Sequence, residues 1–242
     1  MMRLSLLTLT LAICLVGVKQ ARSTEKPAPV PPDIPVLMAI VVDCSGSYED
    51  SPKPDPLFFD RCIDMIAIRG GHLAFMLIRD SSFKPMIRES FSIDTVSPIG
   101  RLLSEQILIR RHNDSTRLAF ESKKNSFIAR VMSEMNSTTS TQQTDIYGAV
   151  ARVSILMNEP VWTDHYRLVC FFTDSKNTVK YPVTAQPDAR VFVVGSTQAK
   201  ADSVFDSPIL FENSIGLLEF LSKQLTLVDE SSPNRLINRN SR

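Results

Sequence analysis

The sequence predicts an α/β domain: a doubly wound, mostly parallel sheet flanked by helices on both faces. Short apolar runs rich in β-branched residues alternate along the chain with segments of helical periodicity, the pattern of strand–helix–strand units. The apolar runs are continuous, as expected of strands covered on both sides. A length of 242 residues accommodates one such domain with extensions, and not two of ordinary size.

The first strand is Val36 to Val42, closed by Asp43. Pro52, Pro54 and Pro56 hold the next stretch open, and Leu57, Phe58, Cys62, Ile63, Met65 and Ile66 then recur at helical spacing. Gly70-Gly71 breaks that helix, and His72 to Ile78 forms a second apolar strand. Pro85 to Phe91 partly alternates, as an edge strand does, and proline is tolerated at an edge. Residues 96–135 carry Leu102, Leu103, Ile107 and Leu108, then Phe120, Phe127, Ile128, Val131, Met132 and Met135. The polar interruption from His112 to Ser115 predicts two helices there. Asn136 to Gln143 reads as a loop, and Ile146, Ala149, Val150, Val153, Leu156 and Met157 mark another amphipathic helix. Arg167 to Thr173 and Arg190 to Gly195 are two more strands, and Ile215 to Leu225 is a closing helix.

Ahead of this domain, Arg3 precedes the apolar run Leu4 to Val18, and the chain turns polar from Lys19 to Ser23. That layout is a secretory signal, with cleavage expected near Ser23; the run is shorter than the roughly 20 residues that span a bilayer. The expected organisation is a signal peptide over 1–23, a proline-rich linker over 24–35, the domain over 36–228 and a polar tail over 229–242. The protein is accordingly expected to be exported, whether periplasmic, extracellular or on the cell surface, with no stable membrane span after cleavage. A formal net charge of +1 offers no nucleic-acid footprint. Cleavage leaves Cys44, Cys62 and Cys170; Cys170 reads as a core residue, and Cys44 with Cys62 is the pair to test for oxidation. His72, His112 and His165 are scattered, which disfavours zinc.

In a doubly wound sheet, ligands bind beyond the carboxyl ends of the strands, where loops converge. Three clusters map there: Asp43-Cys44-Ser45-Gly46-Ser47 after the first strand, Thr144-Asp145 before a helix, and Thr173-Asp174 after a later strand. Each alone has an ordinary reading, as a turn, a helix cap and a strand end. Together they supply hard oxygen donors, which suit magnesium, with manganese or calcium also possible.

The pattern DxSxS, a distant Thr and an Asp after an apolar strand resembles the metal-ion-dependent adhesion site of von Willebrand factor A and integrin inserted domains, over residues 36–226. The resemblance implies a Rossmann-like sheet and a metal held by Asp43, Ser45, Ser47, Thr144 and Asp174: Ser45 and Ser47 directly, Thr144 in the ligand-bound form, Asp43 and Asp174 largely through waters. It also implies a binding or adhesion protein and not an enzyme, recognising an exposed Asp or Glu of a protein partner. The stretch between Ser47 and Thr144 is longer than in compact members, consistent with an inserted helix. Two alternatives stand beside this. One is a metal-free structural subunit of an envelope or secretion assembly. The other is a haloacid-dehalogenase-like phosphatase, which generally wants a second Asp where Ser45 stands.

Overall fold

The structure, a computed structural model, describes residues 30–225 except 32, 49–50, 80–84, 100, 138–142 and 179–185, and leaves out the side chain of Ser47. The expected signal peptide, the first half of the linker and the polar tail lie outside the described residues. Among those described, no helix is long and apolar enough to cross a membrane.

Six strands form one sheet: β1 (Val36–Asp43), β2 (Gly71–Ile78), β3 (Ile87–Phe91), β4 (Tyr166–Phe172), β5 (Arg190–Val194) and β6 (Ile209–Phe211), in the order β3-β2-β1-β4-β5-β6. Every pairing is parallel except β2 with β3. The edge position expected for Pro85–Phe91 is that of β3. Alternate residues of the central strands serve two cores. Val36, Met38, Ile40 and Val42 face α1 (Pro56–Ala67), α2 (Leu103–Ser137) and α5 (Ser214–Leu225). Leu37, Ala39 and Val41 face α3 (Ile146–Met157) and the segment after the short α4 (Gln198–Ala201). This two-sided burial is why β1 reads as an unbroken apolar run.

Two expectations are corrected, on α2 and on the histidines, and the open cysteine question receives an answer. Residues 103–137 form one continuous helix and not two. The His112 to Ser115 segment contains no glycine or proline and lies where α2 is largely exposed, so polar residues there are compatible with an uninterrupted helix. Cys44, Cys62 and Cys170 are all buried and free, and the thiol whose charge bears on Cys62 is that of Cys170, across the α1–β4 contact. The histidines are not all scattered. His72 on β2 and His165 ahead of β4 flank Trp162, with the two imidazole centroids 5.7 Å apart. Sequence spacing could not show this, because β1 lies between the strands that bring them together.

That pair predicts a pH dependence. Burial holds both imidazoles below the ordinary histidine range, with the charges of His165 and Lys123 adding to it at His72, against the opposing pull of Glu89 on His72 and Asp164 on His165. The unfolded chain therefore binds protons first, so stability is fully present above the ordinary value of about 6.5 and is lost as pH falls through the lowered values. Thermal melts across this range should show a decline that flattens in a His72→Gln, His165→Gln double variant. An unchanged slope would remove these residues from the acid response.

The chain enters and leaves the domain at one pole. The Arg69 guanidinium donates to the carbonyls of Val30, Pro31 and Leu225, and Val30 N–H reaches Gln224 O. Gly70 O meets Val36 N there, so this pole is the amino edge of the sheet. The carboxyl ends of the parallel strands point the opposite way.

Candidate functional site

The winding of the sheet creates the site. From β1 the chain moves outward to β2 and β3, then crosses back to β4 on the other side of β1 and continues to β5 and β6. The carboxyl ends of β1 and β4 are thus the switch point, where loops diverge and leave a crevice. Because Val42 pairs with Phe172, Asp43 and Thr173 leave the sheet side by side.

Asp43 is fully buried, and both its oxygens are held. Ser45 N–H donates to Oδ1 at 2.8 Å and the Thr173 hydroxyl donates to Oδ2 at 2.8 Å. Burial pushes the Asp43 carboxyl above its ordinary range, the hydrogen bonds from Ser45 and Thr173 oppose that, and the nearby charge of Asp174 adds to it. No lysine or arginine pairs with Asp43 among the described residues. A buried carboxylate close to a second one, with hydrogen bonds as its compensation, is a site short of positive charge.

Asp174 follows Thr173 at the rim. Its Oδ1 accepts from Lys176 N–H at 3.0 Å and its Oδ2 meets Lys176 Nζ at 3.3 Å. Ser175 takes a positive φ of 59°, its N–H donates to Thr173 Oγ1, and its buried hydroxyl has no partner. The next residues tie this loop to the third cluster: Thr144 N–H donates to Thr178 Oγ1, Thr178 N–H to Thr144 O, and Ile146 N–H to Asn177 Oδ1. Asp145 N–H reaches Arg79 O just past β2, so the Thr144 segment sits at the same edge.

The five expected residues are therefore distributed as follows. Asp43, Ser45 and Asp174 come together at the β1–β4 switch point, and Thr144 reaches that rim through its ties to Thr178, with no direct bond to Asp43. Ser47 lies in a single 3₁₀ turn, Gly46–Tyr48; its side chain is outside the described residues. The helix-cap reading belongs to Asp145, whose Oδ1 accepts from Gly148 N–H at 2.7 Å, and this leaves the Thr144 hydroxyl without that duty. A Cβ at Gly148 would stand 2.1 Å from Asp145 Oδ2, so the cap requires glycine there.

No protein-family model and no curated protein matches the chain. Solved structures to which it is similar include a von Willebrand factor type A protein from Catenulispora acidiphila, at TM-score 0.41 and 12% identity, covering 79% of this chain and 42% of that one. Proximal thread matrix protein 1 of the mussel byssus, with a zinc-occupied metal-ion-dependent adhesion site, gives 0.43 and 12%, covering 83% and 47%. Manganese-loaded TRAP protein of Plasmodium vivax gives 0.44 and 13%, covering 79% and 73%. The chain spans under half the length of the bacterial and mussel proteins. Likeness of this degree leaves the function to be argued from the chain's own residues.

Sequence reasoning groups Thr173 with Asp174 but does not reveal that its hydroxyl fixes Asp43, and it passes over one residue of the site. Tyr48, fully buried, anchors the turn that follows Ser45: its hydroxyl donates to Pro52 O at 2.9 Å and lies 3.4 Å from Val194 O. Its ring packs on Gly195, where an added Cβ would come within 2.9 Å. A tyrosine one position past the DxSxS pattern was the available signal.

Proposed function

We propose that this rim binds a hard divalent cation, magnesium with manganese or calcium as alternatives, and that the protein uses it to recognise an acidic side chain of a protein partner. The observation that carries the reading is Asp43: a buried carboxylate, held in place by Ser45 and Thr173, within the field of a second carboxylate and, among the described residues, with no cationic side chain paired to it. The donor chemistry fits such an ion. Asp43 and Asp174 supply carboxylates, Ser45, Ser47 and Thr144 supply hydroxyls, and burial keeps the neighbouring Cys44 thiol protonated. Among the described residues no three His, Cys, Asp or Glu side chains gather to hold a metal, so the reading rests on two carboxylates and the hydroxyls beside them. When bound, the cation would supply a Lewis-acidic position for a partner's carboxylate.

The chain's own residues do the rest. Thr173 and Ser45 orient Asp43, the Asn177 and Thr178 ties hold Thr144 against the same loop, and Asp145 caps α3 behind it. The amino edge, where the chain enters and leaves, is the far pole, so a linker from an exported or surface-tethered protein would leave the rim facing outward.

Lys176 is the obstacle and the test. Its ammonium occupies the charge-balancing position on Asp174, but the side chain is 55% exposed and can turn away at little cost. In calorimetric titration with Mn²⁺, Lys176→Ala is expected to tighten binding about 3- to 10-fold, because a competing charge in partly screened surroundings is removed. An acidic peptide should then bind only before chelator is added. Titration without heat in both wild type and variant would defeat the reading. The Lys176–Asp174 pair also favours the second reading, a metal-free assembly domain in which that ion pair closes the rim.

A further inference from the structure

The first half of α2 stands apart from the two cores. The helix buries Phe120, Lys124, Phe127 and Val131, all in its second half. Ahead of these, Leu103, Ile107, Leu108 and Leu118 are 74%, 46%, 64% and 72% exposed, and Arg111 and Asp114 are exposed with no ion-pair partner among the described residues. At 3.6 residues per turn, Leu103, Ile107, Arg111, Asp114 and Leu118 fall within about 80° of one another, roughly 130° round the helix from the buried stripe. The row is a two-helix seam in its spacing, with steps of four, four, three and four residues.

The row is also its own complement. Set antiparallel to a copy of itself, with a twofold axis between His112 and Asn113, it brings Ile107 opposite Leu118 and Arg111 opposite Asp114. The twofold repeats each pairing, so two apolar contacts and two ion pairs form at once. Other registers place apolar residues against charges or like charges together. We propose that this exposed half of α2 is a self-association surface whose occupant is the same half-helix of a second copy of this chain. The two domains then lie on the outer sides of the helix pair. Paired from Ile107 to Leu118, a seam of about three turns is at the small end of specific interfaces, and a dissociation constant of about 1–100 µM is expected for the dimer.

Sedimentation velocity on the purified full chain from about 1 to about 200 µM tests this. Wild type should pass from monomer to dimer. Arg111→Asp and Asp114→Arg should each weaken the dimer at least about 10-fold, since each places like charges together twice. The double variant should return to within about 3-fold of wild type. Melting temperatures taken at about 1 µM, where the monomer is favoured, should remain unchanged, because both side chains are exposed and have no ion pair among the described residues, so loss of dimer is not loss of fold. A monomer at all concentrations, or a dimer indifferent to the single reversals, as association through the apolar residues 4–18 would be, overturns the proposal. So does weakening that the double variant fails to restore. None of these outcomes depends on the rim binding a cation.

Discussion

Lys124→Met is expected to destabilise the domain by about 2–3 kcal/mol, the largest loss foreseen for a single polar side chain here. Lys124 is 6% exposed between α1 and α2, and its ammonium meets Asp60 at 2.9 Å, Asp64 at 3.0 Å and Glu121 at 3.2 Å. Burial acts to lower its pKa, but the hydrogen bonds to Asp60, Asp64 and Glu121 together outweigh it and hold the ammonium above the ordinary lysine range. Breaking a buried pair usually costs about 3–5 kcal/mol. The three carboxylates are a third or more exposed, so water partly replaces the lost partner and the lower figure applies. Methionine keeps the stem against Phe120, which isolates the charge.

Two measurements separate this from a packing effect. Urea unfolding should shift its midpoint by about 1 M for a domain of this size. Adding Asp60→Asn and Asp64→Asn to Lys124→Met should recover most of the loss, because the remaining repulsion disappears. Since the folded pKa is raised, the stabilisation is fully present below the unfolded value of about 10.4 and disappears only as pH rises through the higher one. The midpoint shift should therefore be the same at about pH 6 and about pH 8. A shift that the triple variant leaves intact would assign the loss to packing.

How much of this was legible follows from what each residue's environment writes into the sequence. β1, β2, β4 and β5 are covered on both faces, and such strands must be apolar throughout, so their runs stand out. β6, only Ile209–Phe211 and half-buried at the sheet edge, carries no such run and was missed. The single long α2 was hidden because its first half is exposed and its second half buried, so the pattern changes midway while the backbone does not. At the rim, Asp43, Ser45, Thr144 and Asp174 were legible as residues at strand and helix ends. The clamp of Thr173 on Asp43 and the tether of Tyr48 to β5 were not, since both depend on which strands lie adjacent across the switch point.

Asp43→Asn is expected to leave the cation-free domain within about 1 kcal/mol of wild type while abolishing its response to magnesium or manganese. The first half follows from the hydrogen bonds. The amide oxygen still accepts from Ser45 N–H, and the amide nitrogen faces Thr173 Oγ1, whose hydroxyl can turn to accept from it. The variant loses charge-assisted strength in those bonds but also loses the cost of a buried charge beside Asp174, and these effects oppose each other. The second half follows from donor chemistry, because a neutral amide removes one of the two negative charges the ion requires. At a cation concentration about 100 times the dissociation constant, binding stabilises the wild type by about 2.7 kcal/mol. For a domain of this size that raises the melting temperature by roughly 5–10 °C, and the variant should show none of it. A metal-free assembly domain predicts a flat response in both proteins. A wild type that melts at the same temperature with and without millimolar magnesium or manganese would decide for that reading, and would leave Lys176 as the resident charge on Asp174.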